Sequence, residues 1–183
     1  MTSFRCFLTL AVLLAGYLNL KPAQAQAPTF DRAIACGGST NSFGGARQVA
    51  VDGLGNTIAA GQFNGSTLIG NTLLMSANTG SSSQPTPDVY VAKLDAAGAY
   101  VWAAQAGGLG WDYVNGIAVD AAGDVYVTGS FASYSVTFGP NIVLYNSSAA
   151  SEVFVAKLTV LPGSGSGPSA AGAPATTCQQ PWP

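Results

Sequence analysis

The sequence predicts an all-β protein built from two tandem copies of a four-stranded antiparallel unit. Three observations predict it. Short motifs recur in the same order at nearly constant spacing. Alternating and β-branched runs are punctuated by Gly, Asn and Asp turns. Beyond the N-terminal apolar stretch, no segment repeats its apolar residues with the 3.6-residue period of a helix.

The repeat is read directly from the residues. Ala50-Val51-Asp52-Gly53-Leu54-Gly55-Asn56 returns as Ala118-Val119-Asp120-Ala121-Ala122-Gly123-Asp124. Gly61-Gln62-Phe63 returns as Gly129-Ser130-Phe131. Asp88-Val89-Tyr90-Val91-Ala92-Lys93-Leu94 returns as Glu152-Val153-Phe154-Val155-Ala156-Lys157-Leu158. A Gly pair precedes each copy, Gly37-Gly38 before the first and Gly107-Gly108 before the second. The offset between mates differs slightly from motif to motif, which places insertions and deletions in loops.

Within a copy the elements follow in order. Residues 48–52 alternate polar and apolar and predict a strand. Residues 53–56 turn the chain, because Asp bonds its own backbone and Gly or Asn takes positive φ at little cost. Residues 56–61 form the next strand. Residues 67–69 and 72–75 read as an inserted hairpin around Gly70-Asn71, matched by 136–138 and 142–145 around Gly139-Pro140-Asn141. Residues 89–94 are a β-branched and aromatic strand, turned by 95–98 into 100–104. Residues 30–35 occupy the place that 100–105 hold before the second copy, so the first copy is expected to begin with a last strand of that type. The copies cover about 29–94 and 95–161. A unit of this length fits one β-propeller-type blade, giving two tandem blades of an incomplete propeller.

These motifs carry a family resemblance. Ala-Val-Asp-x-x-Gly-Asn/Asp, then Val-x-Gly-x-Phe, Asp/Glu-Val-Tyr/Phe-Val-Ala-Lys-Leu and Tyr-x-Trp with a Gly pair, resemble the bacterial extracellular β-propeller repeat family called SBBP, over about residues 29–160. The resemblance implies a propeller blade and an exported bacterial protein, and no shared catalytic residues. The first copy departs from the pattern at Thr57-Ile58-Ala59-Ala60, where the second has Val125-Tyr126-Val127-Thr128, and at Arg32, where the second has Trp102. A closed propeller takes about four to eight blades. Two blades imply either a homo-oligomer that completes the ring or a fragment of a longer propeller.

The N-terminus reads as a secretory signal peptide over residues 1–25. Arg5 supplies the positive region, Phe7 to Leu14 an apolar core, and Ala23-Gln24-Ala25 a cleavage site, with Ala25-Gln26-Ala27 as second choice. The apolar stretch is short of the ~20 residues that span a bilayer, so no transmembrane segment is expected in the mature chain. Residues 162–183, rich in Gly, Ser, Pro and Ala, read as a flexible, disordered tail. In an oxidising compartment Cys36 and Cys178 are candidates for a disulfide.

After cleavage four basic side chains face eight acidic ones. No cluster of Lys and Arg exists for nucleic acid or an anionic membrane. The chain has no His, which removes the common catalytic triads, the usual zinc sites and the commonest general base. No metal or cofactor is expected. Asp52 and Asp120, like Asp88 and Glu152, fall at matching positions in the repeats. A reaction centre is built once, so these acids read as turn and strand-start residues rather than a glycosidase pair. The Asp52 and Asp120 turns lack the dense ligands of a calcium loop. Lys93 and Lys157 read as polar-face or edge-guarding residues. The remaining candidate ligand-binding group is Trp111-Asp112-Tyr113, expected in an exposed inter-blade loop where aromatics and an acid would bind a sugar or a peptide.

The function expected from the sequence is a secreted or cell-surface, non-enzymatic structural or interaction protein with an extracellular protein or glycan as partner. The alternatives are a carbohydrate-binding lectin assembled as an oligomeric propeller and a fragment of a longer propeller.

Overall fold

The computed structural model describes residues 27–35, 44–78, 85–148 and 150–159. The signal peptide expected at 1–25, the tail expected at 162–183, and Cys36 and Cys178 lie outside the described residues. The chain divides into two compact units at Ala33 and Ile34. In the first, residues 27–33 are exposed and carry no strand.

All strands lie in the second unit: β1 (Gly44–Val51), β2 (Thr57–Phe63), β3 (Ser66–Ile69), β4 (Thr72–Met75), β5 (Asp88–Leu94), β6 (Tyr100–Gly107), β7 (Asp112–Val119), β8 (Val125–Phe131), β9 (Ser135–Phe138), β10 (Ile142–Tyr145) and β11 (Glu152–Leu158). Every pairing is antiparallel. The described residues contain no helix, and no sheet is closed.

Apart from residues 30–35, the expected strands, turns and inserted hairpins are present. The first copy supplies β1, β2 and β5, and the second supplies β6, β7, β8 and β11. β6 adds to β5 of the first copy, so the two larger sheets hold four main strands, β1-β2-β5-β6, and three, β11-β8-β7. Four strands in each copy are therefore corrected to three in the first. Residues 30–35 form no strand: in their register they would add to a strand of the β5 type, and β5 already carries β2 and β6. One pairing was absent from the sequence reading. The β9-β10 hairpin continues the first copy's sheet, through Ala106 opposite Phe138 and Gly107 opposite Thr137. The first sheet thus has six strands, the last three from the second copy.

Both copies bend in the same way. β1 carries a register shift between Ala46 and Gln48, and β7 one between Val114 and Gly116. Opposite these shifts stand Gly61 and Gly129. A Cβ on Gly61 would overlap the Gly45 carbonyl, and one on Gly129 the Tyr113 carbonyl and the Phe154 ring. The glycines of the recurring Gly-Gln/Ser-Phe motif are required by that close approach.

The main core lies between the copies. Ile58, Ala60, Val89 and Val91 of the first pack with Trp102, Val114, Val125, Val127, Phe131 and Phe154 of the second. A smaller cluster, Phe63, Ile69, Leu74, Tyr90 and Ala92, sits under the β3-β4 hairpin.

Candidate functional site

The turn carboxylates are bound within the fold. Asp52 Oδ1 accepts from the amides of Leu54 and Asn56, both at 2.9 Å. Its Oδ2 accepts from Asn56 Nδ2 at 2.8 Å and lies 2.9 Å from Lys93 Nζ. Burial opposes ionisation of Asp52, but Lys93, the Asn56 side chain and the two amides outweigh it and hold the carboxyl well below the usual range. In the second copy Asp120 Oδ1 takes the amides of Ala122 and Asp124, and Oδ2 takes the Tyr126 hydroxyl. Here Asp124 replaces Asn56, and the lysine follows the charge: Lys157 Nζ lies 2.7 Å from Asp124 and 5.2 Å from the centre of the Tyr126 ring. The hydrogen bonds with Asp124 and Tyr126 raise the Lys157 pKa. The two lysines therefore clamp their own copy's turn.

The Trp111-Asp112-Tyr113 group divides. Trp111 is 51% exposed, and its ring lies 6.0 Å from that of Tyr113 at 30°. Both aromatics stand on one side of the chain because side chains alternate along a strand. Asp112, expected in an exposed loop, opens β7 and is fully buried on the other side. The structure thus brings the two rings together and turns the carboxylate away from them.

The Asp112 carboxylate enters a polar cluster at the joint between the copies. Its Oδ2 accepts from the Gly108 amide at 2.7 Å. The Ser133 hydroxyl donates to the same carboxylate, 2.9 Å from both oxygens, and accepts from the Gly110 amide at 2.8 Å. The Asp112 amide donates to the Pro87 carbonyl. Next to Pro87 stands Asp88, also buried, whose Oδ2 accepts from the Ala77 amide at 2.9 Å while Oδ1 has no partner. A Cβ on Gly107 would overlap the Asp88 carboxyl, which explains the second Gly pair: Gly107 lies against one carboxylate and Gly108 donates to the other. Burial pushes Asp88 up to about 7; the Ala77 amide opposes this and the Asp112 charge adds to it. Burial likewise raises Asp112, against the donors Ser133 and Gly108.

This cluster is built once. In the register that aligns Asp52 with Asp120, the mates of Asp112 and Ser133 are Gly44 and Gly65. The mate of Asp88, Glu152, accepts instead from the amide and hydroxyl of Ser147. Sequence reasoning missed Ser133 and the burial of Asp88. The available signal was that Asp112, unlike Asp52, Asp88, Asp120 and Glu152, has no acidic mate. Among the described residues, no three His, Cys, Asp or Glu side chains are grouped to hold a metal ion. No described helix is long and apolar enough to cross a membrane.

A family model described as a β-propeller repeat, SBBP, matches residues 101–130. The chain thus carries an SBBP-type repeat. The SBBP match runs from β6 through β7 into β8. It falls on the second copy, where Trp102 and Val125-Tyr126-Val127-Thr128 follow the pattern from which the first copy departs. No curated protein and no solved structure matches the chain.

Proposed function

We propose that this SBBP protein is an exported, non-enzymatic structural or interaction protein of bacterial origin, with its two copies serving as propeller-type blades. One observation carries the non-enzymatic reading. Asp52, Asp88, Asp112 and Asp120 are each bound by backbone amides or side chains of their own fold, and the two acids with raised pKa values are sealed in the joint. A general acid must reach its substrate, and neither of these does. Export follows from the leader at residues 1–25, and the test is direct. Expressed with that leader in a bacterial host, the chain should appear outside the cytoplasm with Gln26 as its first residue. An uncleaved chain retained in the cytoplasm would sink the reading.

A second reading, carbohydrate binding, is favoured by the pairing of exposed Trp111 with half-buried Tyr113. Aromatic faces of this kind stack on sugar rings. A glycan array probed with the secreted chain should give hits that Trp111→Ala weakens at least about tenfold, the loss expected for one stacking ring at ~1.4 kcal/mol per decade. An array silent for the unsubstituted chain would remove it.

A further inference from the structure

The joint between the two copies has an unused counterpart at each end of the molecule. Inside the chain, the first copy meets the second with the face that carries Ile58, Ala60, Val89 and Val91, and the second answers with Ile117, Val119, Val125 and Val127. Each face has a repeat mate. Val89 and Val91 are 1% and 4% exposed, whereas their mates Val153 and Val155 on β11 are 74% and 57% exposed. Ile117 and Val119 pack into the joint, whereas their mates Val49 and Val51 on β1 are 66% and 64% exposed. One end of the molecule therefore presents the first half of the joint, and the other end presents the second half.

The same comparison locates a missing strand. β5 pairs with β2 on one side and β6 on the other. Its mate β11 pairs with β8 and, among the described residues, forms an edge of its sheet. The segment that corresponds to β6 is residues 30–35, which form no strand. Val91 stands opposite Ala104 and Ala92 opposite Ala103. Transposed by the repeat, that register sets Val155 opposite Ile34 and Ala156 opposite Ala33. Lys93 stands opposite Trp102, so Lys157 meets Arg32. The Lys157 turn holds two carboxylates, Asp120 and Asp124, where the Lys93 turn holds Asp52 alone. A second cation suits that end. In its own chain Ile34 lines a groove with Gly45, Phe63 and Tyr90 of the first copy.

We infer that the occupant of the β11 edge is a second copy of this chain, docked head to tail. It supplies residues 30–35 as the fourth strand of the incomplete sheet, and it covers Val153 and Val155 with its own Val49 and Val51. Strand addition of this kind satisfies an open row of backbone donors and acceptors. The contact is heterologous, each chain offering different surfaces to its two neighbours. The inference rests on the internal repeat, and neither the export test nor the glycan test bears on it.

Two experiments test it. The chain from Gln26 should have a solution mass by light scattering that is a multiple of one chain. Val155→Glu, a substitution at an exposed position, should reduce that mass to a single chain and leave the β circular dichroism unchanged. A single-chain mass for the unsubstituted protein, or a mass untouched by Val155→Glu, overturns the inference. The second experiment replaces Cys36 and Cys178 by Ser and places one cysteine in each of two chains, Ile34→Cys and Val155→Cys. Directly opposed residues have Cα atoms about 4.5–5.5 Å apart, within reach of a disulfide. On mild oxidation the mixture should form a covalent pair, each chain alone should not, and Ala33→Cys with Val155→Cys should not. Linkage of Ile34→Cys to itself, or no linkage in the mixture, also overturns it.

Discussion

At the scale of single residues, the carboxylates of this protein do opposite things to stability. Asp88 titrates near 7 in the folded chain against 3.8 for an ordinary aspartate. The folded state then holds more protons than the unfolded one between those values, so stability falls as pH rises through that window. Asp112, shifted the same way, adds to the slope. Asp52 and Asp120 are held below the ordinary value, so their contribution is present above about pH 4 and is lost as pH falls further. Chemical denaturation across pH should therefore find maximal stability near pH 4, declining toward pH 7. Asp88→Asn, which removes the buried charge, should flatten the decline and be the more stable protein at pH 8. A flat profile in the unsubstituted chain would contradict this account. The turns offer a second comparison. Asp52→Ala removes two amide bonds, leaves Lys93 without its carboxylate and should cost about 2 kcal/mol in urea denaturation. Asp120→Ala, on a solvated turn where Lys157 keeps Asp124, should cost less.

These residues mark where sequence reading worked and where it stopped. The turns were legible because Asp-x-x-Gly-Asn/Asp chemistry is local: the acceptor and its amides lie within one short turn. Asp112 was not. Alternation says that neighbours face opposite sides, but not which side is dry, and Trp111 and Tyr113 took the solvent side. Ser133 completes the cluster from the far end of β8, a separation no local pattern spans.

At the scale of elements, the two copies share their bends. Gly129 faces the register shift of β7, with Phe154 laid across it. Gly129→Val would have to displace the Phe154 ring and the Tyr113 carbonyl, and should cost about 2 kcal/mol or more through overpacking. Phe154→Ala empties a fully buried site beside Phe138, whose ring centre is 5.0 Å away, and should cost about 3–5 kcal/mol. Thermal or urea denaturation of the two variants measures both; a loss under about 1 kcal/mol for Phe154→Ala would place that ring outside the core. The hairpins, their Gly-centred turns and the β-branched strands were all visible in the sequence, because each is closed by neighbouring residues. Pairing between distant elements was not visible. Residues 30–35 read as a strand by analogy with 100–105, yet a strand needs a partner edge, and only the assembled sheets reveal which edges are taken.

At the scale of the whole molecule, the β9-β10 hairpin alters what the repeat means. It belongs to the second copy by sequence, but it extends the sheet of the first. Asp88 and Asp112, one from each copy, meet in the same joint. Arrays whose repeats touch only through their flanks melt piece by piece. Here the stitching runs through backbone hydrogen bonds, so the duplicated stretches in the gene do not coincide with autonomous folding units. Amide exchange should find β2 and β8 losing protection together at one denaturant concentration, as a single foldon. Dividing the gene between residues 94 and 95, the obvious seam by homology, would orphan each half from strands it depends on. For this lineage, lengthening by duplication would demand a break inside the inserted hairpin's pairing rather than at the repeat boundary.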